Sequence, residues 1–199
     1  MIVVGLDTSL TSTGLLVLEV GPDRPPAAGA TRIESKAPAT GRNPDTGKKL
    51  APNLKQRLDR LTAIEQRITS ALFNLYIDLA VIESPSFGSV GSASRDLAGL
   101  WWRVVGKLDH MGIPVAEVSP AGRTKYALGS GKAAPKDRVL AAVIKRYPDF
   151  DITGNDIADA LILAAMGARH LGHPIDDLPQ ANLAAMNGAH WPAPSNPAA

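Results

Sequence analysis

Residues 1–21, MIVVGLDTSLTSTGLLVLEVG, decide the fold. A short apolar run at 2–6 stops at one acid, Asp7. A turn rich in Thr and Ser follows at 8–13, and a second apolar run returns at 14–20. Two apolar runs around such a turn predict a β-hairpin, with Asp7 closing its first strand. Residues 21–29 are turn material, and 30–36 supply a third antiparallel strand. Residues 37–53 are polar, with Pro, Gly and basic side chains, and read as an exposed, mobile loop.

From Leu54 the pattern changes to a helical period. Leu54, Leu58, Leu61, Ile64, Ile68 and Leu72 recur every three or four residues with charges between them, which predicts a helix over 54–72. Residues 77–83 form a short buried strand ending in Glu83. A helix over 92–111 carries Leu97, Leu100, Trp101, Val104, Val105 and Leu108, and a strand over 113–118 follows it. Two further helices are expected at 134–146 and 155–171. Three strands, then helix, strand, helix, strand, helix, helix imply an α/β fold with a mixed sheet of five strands, the first three antiparallel, flanked by helices. One domain, 1–172, accounts for this. Residues 173–199, rich in Pro, Ala and Asn, are expected as a flexible tail.

Composition narrows the chemistry. The 199 residues contain no cysteine, which removes disulfides, thiolate metal sites and cysteine nucleophiles and fits a reducing cytoplasm. The N-terminus has no basic region leading into an apolar core and small-residue cleavage site, so no secretory signal is expected, and no apolar run is long enough for a membrane span. The ligands left for a metal are carboxylates and histidine, a set suited to magnesium or manganese. The net charge of +2 hides an uneven distribution: seven Lys/Arg against two Asp/Glu at 36–60, seven against two again at 120–150, and five Asp with one Arg from 151 onward. Basic stretches beside an acidic cluster suit a phosphate-binding surface around a cation site, although solvated charged stretches give the same pattern.

Four acids draw attention, three of them at the ends of elements. Asp7 and Glu83 each end a strand, while Asp156 and Asp159 lie three apart at the start of the last helix, on one face. Converging carboxylates need a counter-charge, and divalent cations would supply it. Each acid also has a structural reading: Asp7 as a turn former, Asp156 as a helix-start residue behind Asn155, Glu83 as a solvated strand end. Asp159 is the hardest to read that way, because Ile157, Ala158, Ala160, Leu161, Ile162 and Leu163 surround it.

Four stretches in order, GLDTSLTSTG at 5–14, VIES at 81–84, GSGKAAPKDRV at 129–139 and DIADAL at 156–161, resemble the RuvC-type Holliday junction resolvases of the ribonuclease H-like nuclease superfamily. The likeness spans about residues 1–171, with features of a phage or actinobacterial member, and places the protein in the cytoplasm of a bacterial cell or an infected host. It implies a ribonuclease H-like fold in which Asp7, Glu83, Asp156 and Asp159 bind two Mg2+ or Mn2+ ions per active site. It also implies hydrolysis of branched DNA to 5′-phosphate and 3′-hydroxyl ends by a homodimer that nicks opposed strands of a four-way junction. Lys125 and Lys136 fall where the family carries basic residues that assist at the scissile phosphate, and both belong to the expected catalytic set. Phe87 lies near the family's base-stacking aromatic, or else folds into the core. Arg123, Lys132, Arg138, Lys48 and Lys49 are the expected DNA contacts. Thr8-Ser9 departs from the family's Pro-Gly, and the 37–53 loop and the tail are additions, which puts strict junction specificity in question.

The Gly129-Ser130-Gly131-Lys132 stretch lacks the following Ser/Thr of a nucleotide-binding loop, so no nucleotide cofactor is expected. Trp101 and Trp102 point to different parts of one helix, one to the core and the other, by the resemblance, near the dimer contact. His110, His170, His173 and His190 show no ligand spacing. Two rivals remain. An actin-like or sugar-kinase-like ATPase shares the Gly-x-Asp hairpin pattern but needs two lobes. A relative that binds branched DNA without cutting it would not need all four acids.

Overall fold

The computed structural model describes residues 1–85, 91–132 and 134–193. The first strands, β1 (Ile2–Asp7), β2 (Ser12–Gly21) and β3 (Arg24–Glu34), form the expected antiparallel meander. β3 begins earlier than its apolar content indicates, because pairing with β2 rather than burial defines most of its length. After α1 (Leu54–Ala71), strand β4 (Leu79–Glu83) pairs parallel with β1, and after α2 (Ser92–His110), β5 (Val115–Val118) pairs parallel with β4. The sheet order is β3-β2-β1-β4-β5. Three longer helices follow, α3 (Pro120–Leu128), α4 (Lys136–Arg146) and α5 (Asn155–His170), then a short α6 (Gln180–Leu183) and a 3-10 turn at Met186–Gly188.

The period-2 alternation of the strands sorts their side chains onto two faces. Val4, Leu6, Ala80 and Ile82 face one way and pack with Ile64, Ile68, Leu100 and Val104 of α1 and α2. Val3, Leu79, Val81, Ala116 and Val118 face the other way and pack with α5 and the C-terminal helices. The odd-numbered positions of β1 and β4 therefore face α5, and continuing each series one step puts Asp7 and Glu83 on that face. The parallel register Leu6–Ile82 makes them neighbours at the ends of adjacent strands.

α5 lies against this face with every residue from Ile157 to Ala168 buried, since the sheet covers one side and α3, α4 and the C-terminal segment the other. Its close seating depends on two glycines of the hairpin. A Cβ at Gly5 would run into the backbone carbonyl of Ala160, and one at Gly14 into that of Asp156. Without side chains there, the first turns of α5 rest directly on β1 and β2.

Two parts of the chain depart from expectation. α3 is a helix where none was predicted. Ser119 caps it, its hydroxyl accepting from Gly122 N, Pro120 opens it, and Gly129 ends it at φ 77°. The flexible tail expected from 173 is instead folded, through 193, against the α5 side. Asp176 receives Tyr126, Tyr147 and Arg169, Leu178 and Ala185 are buried, and Trp191 stacks on His170 with ring centroids 4.2 Å apart. His190 also pairs with Glu117 through two backbone hydrogen bonds, at 2.8 and 3.0 Å. The nuclease domain expected to end at 172 thus draws part of its core from beyond that point. The 37–53 loop folds back on itself through an Arg42–Lys49 bridge, with the Asn43 side chain accepting from Asp45 N and Thr46 N.

Candidate active site

Asp7 and Glu83 stand side by side on the α5 face of the sheet, and α5 lays Asp159 and Asp156 over them. Burial raises the pKa of Asp7 well above the usual carboxylate range, and the charges of Glu83, Asp159 and Asp156 raise it further, in that order, against an opposing pull from Arg123. Asp159 is 9% exposed, and burial is also the main reason its pKa is raised, to about 6. Arg123 and Lys136 pull it down, while Glu83 pushes it up. No hydrogen bond from another described residue reaches the Asp7 carboxyl.

Two arginines meet these acids. Arg123, on α3, divides its guanidinium between two of them, Nε donating to Glu83 and Nη1 to Asp159; all three side chains are largely buried. Arg32, on β3, donates from Nε to Asp156 Oδ2 at 2.7 Å and from Nη2 to Oδ1 at 2.9 Å, and the Ser12 hydroxyl donates to the same carboxylate. Burial works to raise the pKa of Asp156, but these contacts outweigh it and hold the group below the usual range. Asp156 therefore stays ionised at the edge of the cluster, while Asp7, Glu83 and Asp159 form its centre. Trp101 steadies the end of β4 by donating from its indole to the Glu83 carbonyl at 2.9 Å.

The donor set fits a hard divalent ion, because it is all carboxylate oxygen and one carboxyl is desolvated without a hydrogen bond from the described residues. Among the described residues, however, no three acid or imidazole side chains close around one point as a finished cage. Three of the four acids are turned toward guanidinium groups instead.

The other expected site residues are spread more widely. Lys136 opens α4 beside Asp159, lining a cavity of about 60 Å³ with Arg123, Thr124, Ala134, Val139 and Asn155. Lys125 is not among those lining residues and makes no ion pair among the described residues. The α3 cation at the acids is Arg123, which is held by carboxylates rather than free on a DNA-facing surface. Lys48, Lys49, Lys132 and Arg138 are exposed. Phe87 lies outside the described residues.

Three participants went unread in the sequence. Arg32 and Ser12 are 124 and 144 residues from Asp156, and no local pattern announces either. The third, Asn155, has a buried Oδ1 with no hydrogen-bond partner among the described residues, and only its place before Asp156 marked it.

A mixed sheet ordered β3-β2-β1-β4-β5, covered by α5 on one face and by α1 and α2 on the other, is a ribonuclease H-like α/β fold. No family model and no curated protein sequence matches the chain. Solved structures do match its fold. RuvC from Thermus thermophilus superposes with a TM-score of 0.61 at 20% identity, covering 87% of this chain and 98% of that one. T. thermophilus RuvC in complex with Holliday junction substrate gives 0.61 at 18%, covering 87% and 97%. The fowlpox virus resolvase, solved with its substrate Holliday junction DNA, gives 0.55 at 12%, covering 86% and 99%. At these identities the shared property is the fold.

Proposed function

We propose that this protein is a metal-dependent endonuclease that cuts branched DNA, with the four-way junction as its preferred substrate. The observation that carries the reading is the placement of Asp7 and Glu83 on adjacent parallel strands under Asp159, close enough to raise the Asp7 pKa. Structures sharing the fold are named as a resolvase and as complexes with Holliday junction DNA, which supports the choice of substrate.

Asp7, Glu83 and Asp159 would hold the divalent ions, Mg2+ or Mn2+, with Asp156 completing the set for a second one. The chemistry such ions would supply there is activation of a water and neutralisation of charge on the leaving oxygen. The chain's own residues do the rest. Burial of Asp7 and Asp159 lowers the dielectric around the cluster and strengthens its hold on a cation. Lys136, beside Asp159, is placed to stabilise charge developing on the phosphate. The exposed Lys48, Lys49, Lys132 and Arg138 would position the DNA backbone without reading its sequence. Nicks in both opposed strands require two copies of the chain. Trp102, 68% exposed on the outer side of α2, marks the face we assign to that homodimer. We place the activity in the cytoplasm of a bacterial cell or a phage-infected host.

A second reading, a protein that binds branched DNA without cutting it, draws support from the two arginines held by the acids. One experiment separates the two. A labelled four-way junction and a matching linear duplex are incubated with wild type and with Asp7→Asn, in magnesium and in manganese. Paired nicks confined to the junction and lost in Asp7→Asn support the resolvase. Cutting of forks and flaps as well would leave a broader nuclease. Folded wild-type protein that binds the junction and cuts nothing in either metal would leave the binding module.

A further inference from the structure

The guanidinium of Arg123 sits between Glu83 and Asp159, where a cation must sit to neutralise them, so a divalent ion and Arg123 compete for the same carboxylates. We propose that Arg123 is a displaceable counter-ion: binding of the metal moves its guanidinium off Glu83 and Asp159 to a second seat beside Asn155. The inference rests on the nuclease reading of the same site and adds to it a switch in the partners of one side chain.

Two observations supply the second seat. Arg123 already lines the small cavity that Asn155, Thr124 and Lys136 share, so a modest rotation of its side chain reaches that space. The Oδ1 of Asn155 is buried with no hydrogen-bond partner among the described residues. A buried, unpaired acceptor is costly to keep, and a guanidinium N–H from the lining of the same cavity is able to satisfy it. In that seat the planar fork of Arg123 stands next to Lys136 at the rim, where a phosphate would be met in bidentate fashion. The exchange breaks no covalent bond: the carboxylates trade a monovalent partner for a divalent one, and the freed guanidinium trades carboxylates for the amide and phosphate oxygens. Arg123 thereby acts as a positioning residue that keeps the acids ordered before the metal arrives. Its expected role as a DNA contact then applies to the displaced position alone.

The test measures Mn2+ binding by calorimetry without DNA, and thermal melting with chelator, for wild type, Arg123→Gln, Arg123→Met, Asn155→Ala and the double variant of Arg123→Gln with Asn155→Ala. Arg123→Gln is expected to bind Mn2+ roughly tenfold more tightly than wild type or better, since it removes a competing buried ion pair, and to melt earlier in chelator. Asn155→Ala is expected to weaken Mn2+ binding several-fold in the wild-type background and to change nothing in the Arg123→Gln background. Should Arg123→Gln fail to fold, Arg123→Met, which likewise removes the competing charge, is read the same way. Unchanged or weaker Mn2+ binding in the Arg123 variant that folds overturns the proposal, as does binding by no variant. Tighter binding without any DNA cleavage would keep the exchange and overturn the nuclease reading alone.

Discussion

Asparagine at position 7 keeps the shape of the aspartate and removes a charge disfavoured by burial and by Glu83 and Asp159. Asp7→Asn should therefore make the chelated protein more stable, by about 1 kcal/mol in urea denaturation, while lowering junction cleavage by more than about 100-fold, beyond the loss typical of a group that merely supports a ligand. The pH dependence has a definite sign. Asp7 and Asp159 have raised pKa values in the fold, about 6 for Asp159, so the folded chain binds more protons than the unfolded one between pH ~4 and ~6. Their contribution to stability is full below that window and is lost as pH rises through it. Asp156, held low by Arg32 and Ser12, acts in the opposite sense and loses its contribution only as pH falls below the window. Chelated protein should accordingly be less stable at pH 7.5 than at pH 5, with added Mn2+ restoring more at pH 7.5. Equal denaturation midpoints at the two pH values in chelator would count against a desolvated acid pair. Asp7, Glu83 and Asp156 were marked in the sequence because each stands at the end of an element, and Asp159 because its neighbours are apolar. Their arginine partners were not, since Arg32 reaches Asp156 across 124 residues, and Arg123 reaches Glu83 and Asp159 from a helix the pattern did not reveal.

Among the elements, the hairpin and α5 must fit backbone to backbone for the acids to meet. Gly14→Ala puts a methyl group into the carbonyl of Asp156. We expect a loss of about 1–3 kcal/mol, the usual cost of overpacking, with cleavage reduced further than the folded fraction explains because the start of α5 is pushed off β2. A chemical denaturation curve beside a cleavage assay on the same sample checks both parts, and wild-type cleavage per folded molecule would exclude the second. The period-2 and 3.6-residue patterns predicted β1, β4, α1, α2 and α5 to within two residues at most ends. α3 escaped because it is short and half polar, with Lys125 and Arg123 breaking its apolar stripe. Its signal lay in the Ser119-Pro120 start and the Gly129 stop, punctuation rather than period.

Across the whole molecule, composition misled most at the C-terminus. Pro and Ala from 173 onward resemble a linker, yet Asp176 is anchored by two tyrosine hydroxyls and Arg169, with its side chain 2% exposed. Anchors of this kind are invisible locally, because Tyr126 and Tyr147 lie 50 and 29 residues away. Asp176→Ala should cost about 3–5 kcal/mol, as for other broken buried ion pairs, and a chain ended at 172 should melt far below the full-length protein. A truncated chain with the full-length melting temperature would restore the view of a dispensable tail. The bridge between Glu117 and His190 has a consequence of another kind. β5 is the last strand of the sheet, and its outer rim would otherwise offer unpaired amides and carbonyls to any passing chain. One residue pair from the C-terminal segment closes part of that rim, while at the opposite margin Pro25 and Pro26 withhold two donors from β3. The segment therefore guards against sticking between molecules, and losing it should show first as turbidity in concentrated solutions.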